Sequence, residues 1–380
     1  MCYNVTTMPV SLYQKYRPQT WKDVCDQQHI KVTLQHQIER NQIAHAYLFV
    51  GPRGVGKTTL ARLMAKAINC EQRKKGSGEP CNACPSCARI QAQQSFDIVE
   101  IDAASNTGVD HVREHILASA EVSAGHGTYR VFIIDEVHML STAAFNAMLK
   151  MLEEPPSHVI FILATTELHK VPATIISRCQ RFDFKRVPAD GMRKRLEILT
   201  KAEGVSVDGD VLSAIVEQAD GSLRDAESIL GQVLALGVKN ITFDEASLVI
   251  PRSNRASAAK LVEMIAKKQT AEAITFVNTL VEEGVSVKVF IGDCIAWLRA
   301  LLLLQVGDRL DAMSRDSVGE LHELLQEQAQ LLTTAEVTGL IDILLRRQNT
   351  LADSPLPQLP LEMAIIEATS RQVDVEVKNQ

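Results

Sequence analysis

The sequence lacks the features that would direct a chain to or across a membrane. Residues 1–10 contain no apolar core of the kind that a signal peptide needs. The most apolar later run, residues 285–306, is interrupted by Lys288, Asp293 and Arg299, and it therefore predicts a buried helix rather than a membrane span. We therefore expect a cytoplasmic protein.

An excess of basic residues is also lacking. The formal net charge of −6 does not indicate nucleic-acid binding, although a local basic face inside an assembly could still provide it. No internal repeat is evident in the sequence. At 380 residues the chain is long for a single core, and we expect two or three domains.

A disulfide framework is not expected either, although the cytosolic chain has eight cysteines. Cys81, Cys84 and Cys87 have C-x-x-C-x-x-C spacing, and Cys70 precedes them across a turn rich in Gly, Ser and Lys. Four thiolates can close a tetrahedral Zn²⁺ shell with no open position for water, which predicts a structural zinc site. An iron–sulfur cluster and a set of incidental cysteines are the alternatives. The isolated cysteines are expected to be apolar fillers or surface thiols: Cys2, Cys25, Cys179 and Cys294.

One glycine-rich stretch is the feature around which the rest of the chain is organised. An apolar run at 46–50 predicts a buried strand before it, and the spacing over 60–69 predicts a helix after it. The context and the residues match the phosphate-binding pattern G-x-x-x-x-G-K-[ST], in which backbone N–H groups and a helix N-terminus surround a polyphosphate. Lys57 would bind the β- and γ-phosphates of ATP, and the Thr58 hydroxyl would bind Mg²⁺. The stretch reads Gly51-Pro52-Arg53-Gly54-Val55-Gly56-Lys57-Thr58-Thr59.

Later strands deliver polar residues that suit a nucleotide site. A predicted strand at 130–134 ends in Asp135 and Glu136. Asp135 would hold Mg²⁺, and Glu136 would polarise the attacking water. Another predicted strand, 159–163, leads to Thr165 and Thr166, whose hydroxyls could bond the water or the γ-phosphate. The alternative is that these threonines simply suit a strand.

Strands alternate with helices up to residue 187, which predicts a parallel sheet with helices on both faces. Further strands are predicted at 97–101 and 182–184, and a polar loop at 102–108 could cap a helix that begins near Val109. Beyond 187 we predict helices only, so the fold class is α/β followed by all-α. The predicted helices include 29–40, 191–202, 208–219, 222–236, 256–268, 270–284, 287–305, 317–332, 334–351 and 361–369.

These motifs together resemble the ATPase subunit, called tau or gamma, of the bacterial DNA polymerase III clamp loader, an AAA+ family. The resemblance extends to about Thr369, and the zinc insert together with Ser177-Arg178-Cys179 narrows it from AAA+ ATPases in general to clamp loaders. It rests on Gly-Pro-Arg-Gly-Val-Gly-Lys-Thr, the four-cysteine insert, Ile-Asp-Glu-Val-His-Met-Leu, Leu-Glu-Glu-Pro-Pro, Ser-Arg-Cys and Gly-Ser-Leu-Arg-Asp-Ala.

The resemblance implies roles for residues that carry little signal by themselves. Arg178 would be an arginine finger that reaches the neighbouring subunit's nucleotide, and Arg224 would be a second sensor that touches the γ-phosphate. Thr166, or Thr165 in its place, would be the first sensor. Arg17-Pro18 would belong to the adenine site. From the residues alone, Arg224 reads as a surface residue and the Arg17-Pro18 segment as an N-terminal anchor.

The resemblance also implies domains, partners and a function. We expect a nucleotide-binding domain at 1–187 with a zinc module at about 70–90, a helical lid at 188–250, a helical collar at 251–370 and a polar tail at 371–380. The chain would be an ATP-driven motor in a hetero-oligomeric ring with other loader subunits, a sliding clamp and primer–template DNA. A longer form could also bind the polymerase core and the helicase.

Two rival functions and one departure from the family pattern qualify this expectation. A non-catalytic ring subunit would donate Arg178 without turning over ATP, and a generic AAA+ remodeller is a more distant rival. In the loop 102–110, relatives are expected to carry basic residues facing DNA, but this chain has Asn106 and Gly108. Individual DNA contacts are therefore not assigned.

Overall fold

The computed structural model of the protein describes residues 11–105, 108, 116, 118–120, 125, 129–247, 249–250, 255–307, 322–351 and 354–370. The chain divides into two compact units, Met1–Ile250 and Pro251–Gln380. Asn106, the expected helix start at Val109, the start of the helix expected from 317 and the tail 371–380 lie outside the described residues, as does Cys2.

A five-stranded sheet forms the centre of the first unit. Its strand order is β2-β3-β4-β1-β5, and every neighbouring pair is parallel. Every residue of β1 and β4 is buried, as expected for central parallel strands that are covered on both faces. The predicted α/β class is confirmed. The strands are β1 (Ala46–Val50), β2 (Ile98–Asp102), β3 (Arg130–Asp135), β4 (Val159–Thr165) and β5 (Gln180–Asp183).

Helices cover both faces of this sheet. On one face, the core contains Ile30 and Leu34 from α2 and Leu60 from α3; on the other, Phe145 and Met148 from α6 pack in a second core. No helix is predicted from the sequence at residues 85–91 or 142–153. The helices of this part are α1 (Leu12–Lys15), α2 (Gln28–Glu39), α3 (Lys57–Ile68), α4 (Pro85–Gln91), α5 (Ala118–Ala120), α6 (Thr142–Glu153) and α7 (Ala173–Ile176).

Residues 188–250 form the helical part that we call the lid. Its helices α8 (Ala189–Glu203), α9 (Gly209–Ala219) and α10 (Leu223–Leu234) agree with the predicted ones, and a short α11 (Phe243–Ala246) follows. The expectation that strands end at 187 is wrong, because β6 (Ser206–Val207) pairs in parallel with β7 (Asn240–Ile241). These two-residue strands carry no periodic signal in the sequence.

The N-terminal segment packs against the lid. Leu12 lies in the apolar core of the lid, and Tyr16 packs on its edge. The Arg195 guanidinium donates to the carbonyl oxygen of Tyr16 at 2.6 Å and to Glu227 Oε1 at 2.8 Å. Leu12 and Tyr16 are therefore bound to the lid, although residues 1–187 are expected to form the nucleotide-binding domain.

The described part of the second unit contains helices and no strand. Its apolar core encloses one polar group, Gln328, whose side chain accepts a hydrogen bond from Trp297 Nε1 and donates one to the Ala259 carbonyl. The helices are α12 (Arg255–Ala266), α13 (Thr270–Glu282), α14 (Val287–Gly307), α15 (His322–Leu331), α16 (Thr334–Asn349) and α17 (Leu359–Ser370).

Among the described residues, α14 is the one helix that is long and apolar enough to cross a membrane by length and composition. Phe290, Trp297 and Leu301 of this helix are buried in the core of the second unit. This burial agrees with the interpretation of the interrupted apolar run as a core helix.

Candidate functional site

The glycine-rich loop connects the end of β1 to the start of α3. The N–H of Gly51 donates to the Thr165 carbonyl at 3.1 Å, which fixes the base of the loop to the end of β4. Gly56 precedes α3 with a φ of 101°, a conformation that favours glycine. A Cβ atom at Gly51 would lie 2.6 Å from the Phe184 carbonyl oxygen, so a larger residue does not fit there.

Lys57 points back into this loop. Its Nζ donates to the carbonyl oxygens of Gly51 and Pro52, both at 2.8 Å, and the residue is only 6% exposed. Burial lowers the pKa of Lys57, while the nearby Glu136 and Asp135 act in the opposite direction. The loop therefore holds a largely desolvated amine against oxygens that a phosphate could replace.

Thr58 and Asp135 bring a hydroxyl and a carboxylate together. Thr58 Oγ1 donates to Asp135 Oδ2 at 2.6 Å, and Asp135 Oδ1 accepts the N–H of Glu136 at 3.0 Å. Oxygen ligands of this kind suit Mg²⁺, which usually takes one or two protein groups together with phosphate oxygens. The residues present thus fit the cation that the sequence predicts.

Glu136 lies beside the end of β4 in a left-handed backbone conformation, with a φ of 47°. Its Oε2 accepts hydrogen bonds from the N–H of Thr166 at 3.3 Å and from Thr166 Oγ1 at 3.0 Å. Positive φ in a residue other than glycine is uncommon and occurs often at functional sites. The geometry separates the two candidate threonines, because Thr166 contacts Glu136 whereas the Thr165 hydroxyl lies 3.0 Å from His138 Nδ1.

His138 and Glu167 adjoin this site, and neither residue is among the sequence-predicted site residues. His138 Nδ1 lies 3.4 Å from Glu136 Oε2, and His138 Nε2 lies 3.3 Å from Glu167 Oε1. The sequence could have pointed to His138, because it is a polar residue two positions after the acidic pair. It could not have indicated the partners of His138, because Thr165 and Glu167 are 27 and 29 positions further along the chain.

Arg178 lies apart from the glycine loop of its own chain. Its guanidinium donates to Glu153 Oε1 at 2.6 Å and to the Thr174 carbonyl at 2.7 Å. The side chain is 32% exposed and contacts no residue of the loop in the described part of the chain. Arg178 is therefore accessible from outside rather than part of the site built by Lys57.

Arg224 begins α10 and touches the loop through its backbone. Its N–H donates to the Gly54 carbonyl at 3.3 Å, while its guanidinium lies 4.8 Å from the centre of the Tyr13 ring. The neighbouring Ser11 hydroxyl and Arg224 guanidinium lower the pKa of Tyr13. The lid thus contacts the loop directly, and the Arg224 side chain packs on the N-terminal segment.

Arg17 and Pro18 border a cleft of about 430 Å³. The cleft is lined from α3 by Arg62, Leu63 and Lys66, and no residue of the glycine loop lines it. Lys66 Nζ is held by the backbone and side-chain oxygens of Gln19 at 3.0 and 2.7 Å. The structure therefore does not place Arg17-Pro18 in contact with the loop.

The four candidate metal ligands do come together. The Sγ atoms of Cys70, Cys81, Cys84 and Cys87 all lie within 4.8 Å of one another, and two of the pairs are 4.0 Å apart. Sulfurs around a tetrahedral Zn²⁺ with bonds of about 2.3 Å would be roughly 3.8 Å apart. The cluster therefore fits a four-sulfur metal site.

Local folding of the cysteine segment explains this convergence. Cys84 caps α4 and accepts the N–H of Cys87 on its sulfur, with Pro85 at the first helical position. Burial raises the pKa of Cys70 and Cys87. It acts in the same direction on Cys81, but backbone N–H groups donate to that sulfur and lower the pKa of Cys81 to about 6. These donors favour a thiolate, the form that binds metal.

Three family models match successive parts of the chain. They are described as DNA polymerase III, delta subunit (residues 26–188), DNA polymerase III clamp loader subunit, ATPase lid domain (192–239), and DNA polymerase III subunits gamma and tau domain III (252–377). Among solved structures, the Bacillus subtilis DNA clamp loader delta protein aligns with 89% of this chain and 99% of its own at 14% identity with a TM-score of 0.38, which is too low to carry an argument.

Relatives named DNA polymerase III subunit tau or gamma align with nearly all of the chain. DNA polymerase III subunit tau of Bacillus subtilis (strain 168) is 40% identical over 94% of this chain and 62% of its own length. Tau of Escherichia coli (strain K12) is 34% identical over 94% of this chain and 55% of its own. DNA polymerase III subunit gamma of Buchnera aphidicola is 32% identical over 94% and 98%. The chain spans less than two thirds of these tau relatives and nearly all of this gamma relative, and it belongs to the DNA polymerase III tau/gamma family.

Proposed function

We propose that the chain is the ATPase motor subunit of a replicative clamp loader, which uses ATP binding and hydrolysis to open a sliding clamp and load it onto primed DNA. One observation carries the proposal: Lys57, Thr58, Asp135, Glu136 and Thr166 meet where β1, β3 and β4 end. Membership of the tau/gamma family supports the same conclusion.

ATP binding would begin at Lys57. Its ammonium group would exchange the carbonyl oxygens of Gly51 and Pro52 for the β- and γ-phosphates. N–H groups of the first turn of α3 have no partner within the helix and would donate to further phosphate oxygens. Mg²⁺ held by Thr58 and Asp135 would neutralise charge that develops on the phosphates.

Hydrolysis would use Glu136 as the group that polarises the attacking water. The carboxylate would accept a proton from the water as the water oxygen bonds to the γ-phosphorus and the bond from that phosphorus to the ADP oxygen breaks, which releases ADP and phosphate. Thr166, bonded to the same carboxylate, is placed to respond to the γ-phosphate as the first sensor. The contacts of Glu136 with the end of β4 support these roles.

Arg178 is proposed to act on the nucleotide of a neighbouring subunit. Its exposed position away from its own loop supports this role, because an arginine supplied across an interface stabilises transition-state charge only after assembly. Arg224 would act within the chain, with its side chain leaving Tyr13 for the γ-phosphate. Arg17-Pro18 is retained as a candidate for the adenine site.

The proposal includes the assembly around this site. Residues 1–187 would be the nucleotide domain, 188–250 the lid and 251–370 the collar of a hetero-oligomeric ring with other loader subunits, located in the cytoplasm. The ring would bind the sliding clamp and primer–template DNA, and a longer form of the chain would add contacts with the polymerase core and helicase. Zn²⁺ in the four-cysteine cluster would be structural.

A non-catalytic ring subunit that only donates Arg178 is the less well supported alternative. Such a subunit needs neither the contact of Thr58 with Asp135 nor that of Glu136 with Thr166, and this chain has both.

The proposal is tested by steady-state ATP hydrolysis of the assembled loader, with and without sliding clamp and primed DNA. We expect clamp and DNA together to stimulate hydrolysis. Arg178→Ala should abolish the stimulation with ATP binding intact, because the transition state loses a cation. Arg181→Ala is the matched control, since Arg181 is equally basic and pairs with Asp183 instead. Glu136→Gln should retain ATP binding and lose turnover. Turnover that stays at zero in every wild-type assembly would refute the motor proposal.

A further inference from the structure

We propose that His138 is a positioning residue that holds the Glu136 carboxylate in place for hydrolysis and connects it to the end of β4. The proposal rests on the hydrolytic role proposed for Glu136. It adds a residue that belongs to neither the glycine loop nor the acidic pair.

The Nδ1 side of the imidazole faces the catalytic groups. Nδ1 lies 3.0 Å from Thr165 Oγ1 and 3.4 Å from Glu136 Oε2. The Thr165 hydroxyl in turn accepts the N–H of Glu167 at 3.0 Å, and Thr165 itself is fully buried. The ring is thus placed between the Thr165 hydroxyl of β4 and the carboxylate of Glu136.

The Nε2 side of the ring is also occupied. Nε2 lies 3.3 Å from Glu167 Oε1, while Lys170 binds the other oxygen of Glu167 at 2.8 Å. The His138 side chain is only 5% exposed. A buried ring with a polar group at each nitrogen has a restricted orientation, so its position is defined by the strand end rather than by solvent.

Glu136 needs such a restraint because its backbone has an uncommon left-handed conformation. The residue has a φ of 47° in the turn after β3, and its side chain crosses to β4. Oε2 is approached by Thr166 and His138, whereas Oε1 has no bonding partner among the described residues. Fixing one oxygen from two sides sets the direction of the other, which would then face the attacking water.

The size of the effect follows from the precision that such a base requires. A displacement of about 1 Å can cost about 100-fold in rate, even when it originates outside the reacting groups. Loss of His138 should therefore lower turnover rather than ATP affinity, because Lys57 and the loop do not contact the ring.

The variants His138→Ala, His138→Asn and His138→Gln separate positioning from simple space filling. Asparagine carries a polar atom near the position of Nδ1, and glutamine carries one near Nε2. If His138 acts through Glu136, we expect the alanine variant to lose about 10- to 100-fold in single-turnover ATP hydrolysis by the assembled loader. ATP affinity should change less than about threefold, and asparagine should restore more of the rate than glutamine.

Two further variants complete the test. His169→Ala is the matched control, because His169 also approaches Glu167, at 3.6 Å, but is 75% exposed and contacts neither Glu136 nor Thr165. In the Glu136→Gln background, adding His138→Ala should lower the residual turnover almost no further, since residues that act as a unit are not additive.

The outcomes distinguish this proposal from the proposed function. A wild-type loader that hydrolyses ATP while His138→Ala keeps its rate within twofold would overturn the role of His138 alone. Equal losses in the alanine, asparagine and glutamine variants together with a lower melting temperature would also overturn it, in favour of space filling. A wild-type loader that never hydrolyses ATP would overturn both proposals.

Discussion

Gly54 is the position at which the loop and the lid restrict each other most directly. Its φ is 76°, and a Cβ atom added there would overlap Ser222 Oγ at the start of α10. Gly54→Ala should therefore destabilise the protein in two ways. The left-handed conformation costs about 1–2 kcal/mol for alanine, and the forced contact costs roughly 1–3 kcal/mol more. We expect a total loss of about 2–5 kcal/mol in the free energy of unfolding.

Ser222→Ala provides the partner for a double-mutant cycle. The Ser222 side chain accepts the N–H of Asp225 as the cap of α10, so its loss alone should cost about 1 kcal/mol. Removal of Oγ also removes the overlapping atom, and the double variant should be about 1–2 kcal/mol more stable than the sum of the single changes predicts.

Thermal unfolding of the full chain, followed by circular dichroism, measures these differences. For a unit of this size, 1 kcal/mol corresponds to roughly 2–4 °C, so Gly54→Ala should lower the melting temperature by about 4–20 °C. ATP binding measured on the same samples should weaken as the loop is displaced. Gly237→Ala is a suitable control, because its φ of 75° carries the same backbone cost with no atom near the added Cβ. If the two alanine variants are equally stable, or the Gly54 and Ser222 changes are additive, the proposed contact is wrong.

Three further predictions concern other parts of the chain. The purified protein should contain one zinc per chain by elemental analysis, and Cys84→Ser or a strong chelator should remove the zinc and lower the melting temperature; substoichiometric zinc or an iron absorbance band would contradict the zinc assignment. Arg195→Met should cost about 3–5 kcal/mol at neutral pH, because it leaves Glu227 buried without its partner. Burial already raises the pKa of Glu227, and the variant should raise this pKa further. A raised pKa in the folded state favours folding at low pH. Denaturant titrations should therefore show that the variant loses less unfolding free energy at pH 5 than at pH 8. Gln328→Leu should cost about 1–3 kcal/mol in urea unfolding, because the buried Trp297 N–H loses its acceptor, and a neutral result would contradict that reasoning.

The central strands and the glycine loop could be predicted because their signals are local. β1 and β4 are continuous apolar runs, as expected of strands buried on both faces, and the loop pattern has fixed spacing. The cysteine cluster could be predicted for the same reason. Roles for Arg178 and Arg224 came only from the family resemblance.

Features that depend on side-chain direction or on distant partners could not be predicted. Thr165 and Thr166 differ by one position at a strand end, where successive side chains point to opposite faces, so a boundary error of one residue exchanges their roles. The role proposed for His138 depends on its contact with Thr165 of β4. β6 likewise pairs with a distant strand, β7, which follows two helices of the lid.

Because Leu12 and Tyr16 pack on the lid, the chain connects that part of the protein to the sheet at two places. One connection runs forward from β5 at residues 184–188, and the other runs back through residues 17–20 to the buried Trp21. A body held to its neighbour at two separate points can turn only about the line that joins them. We therefore expect the lid to rotate about a single axis. We also expect Arg17 to move when the lid rotates.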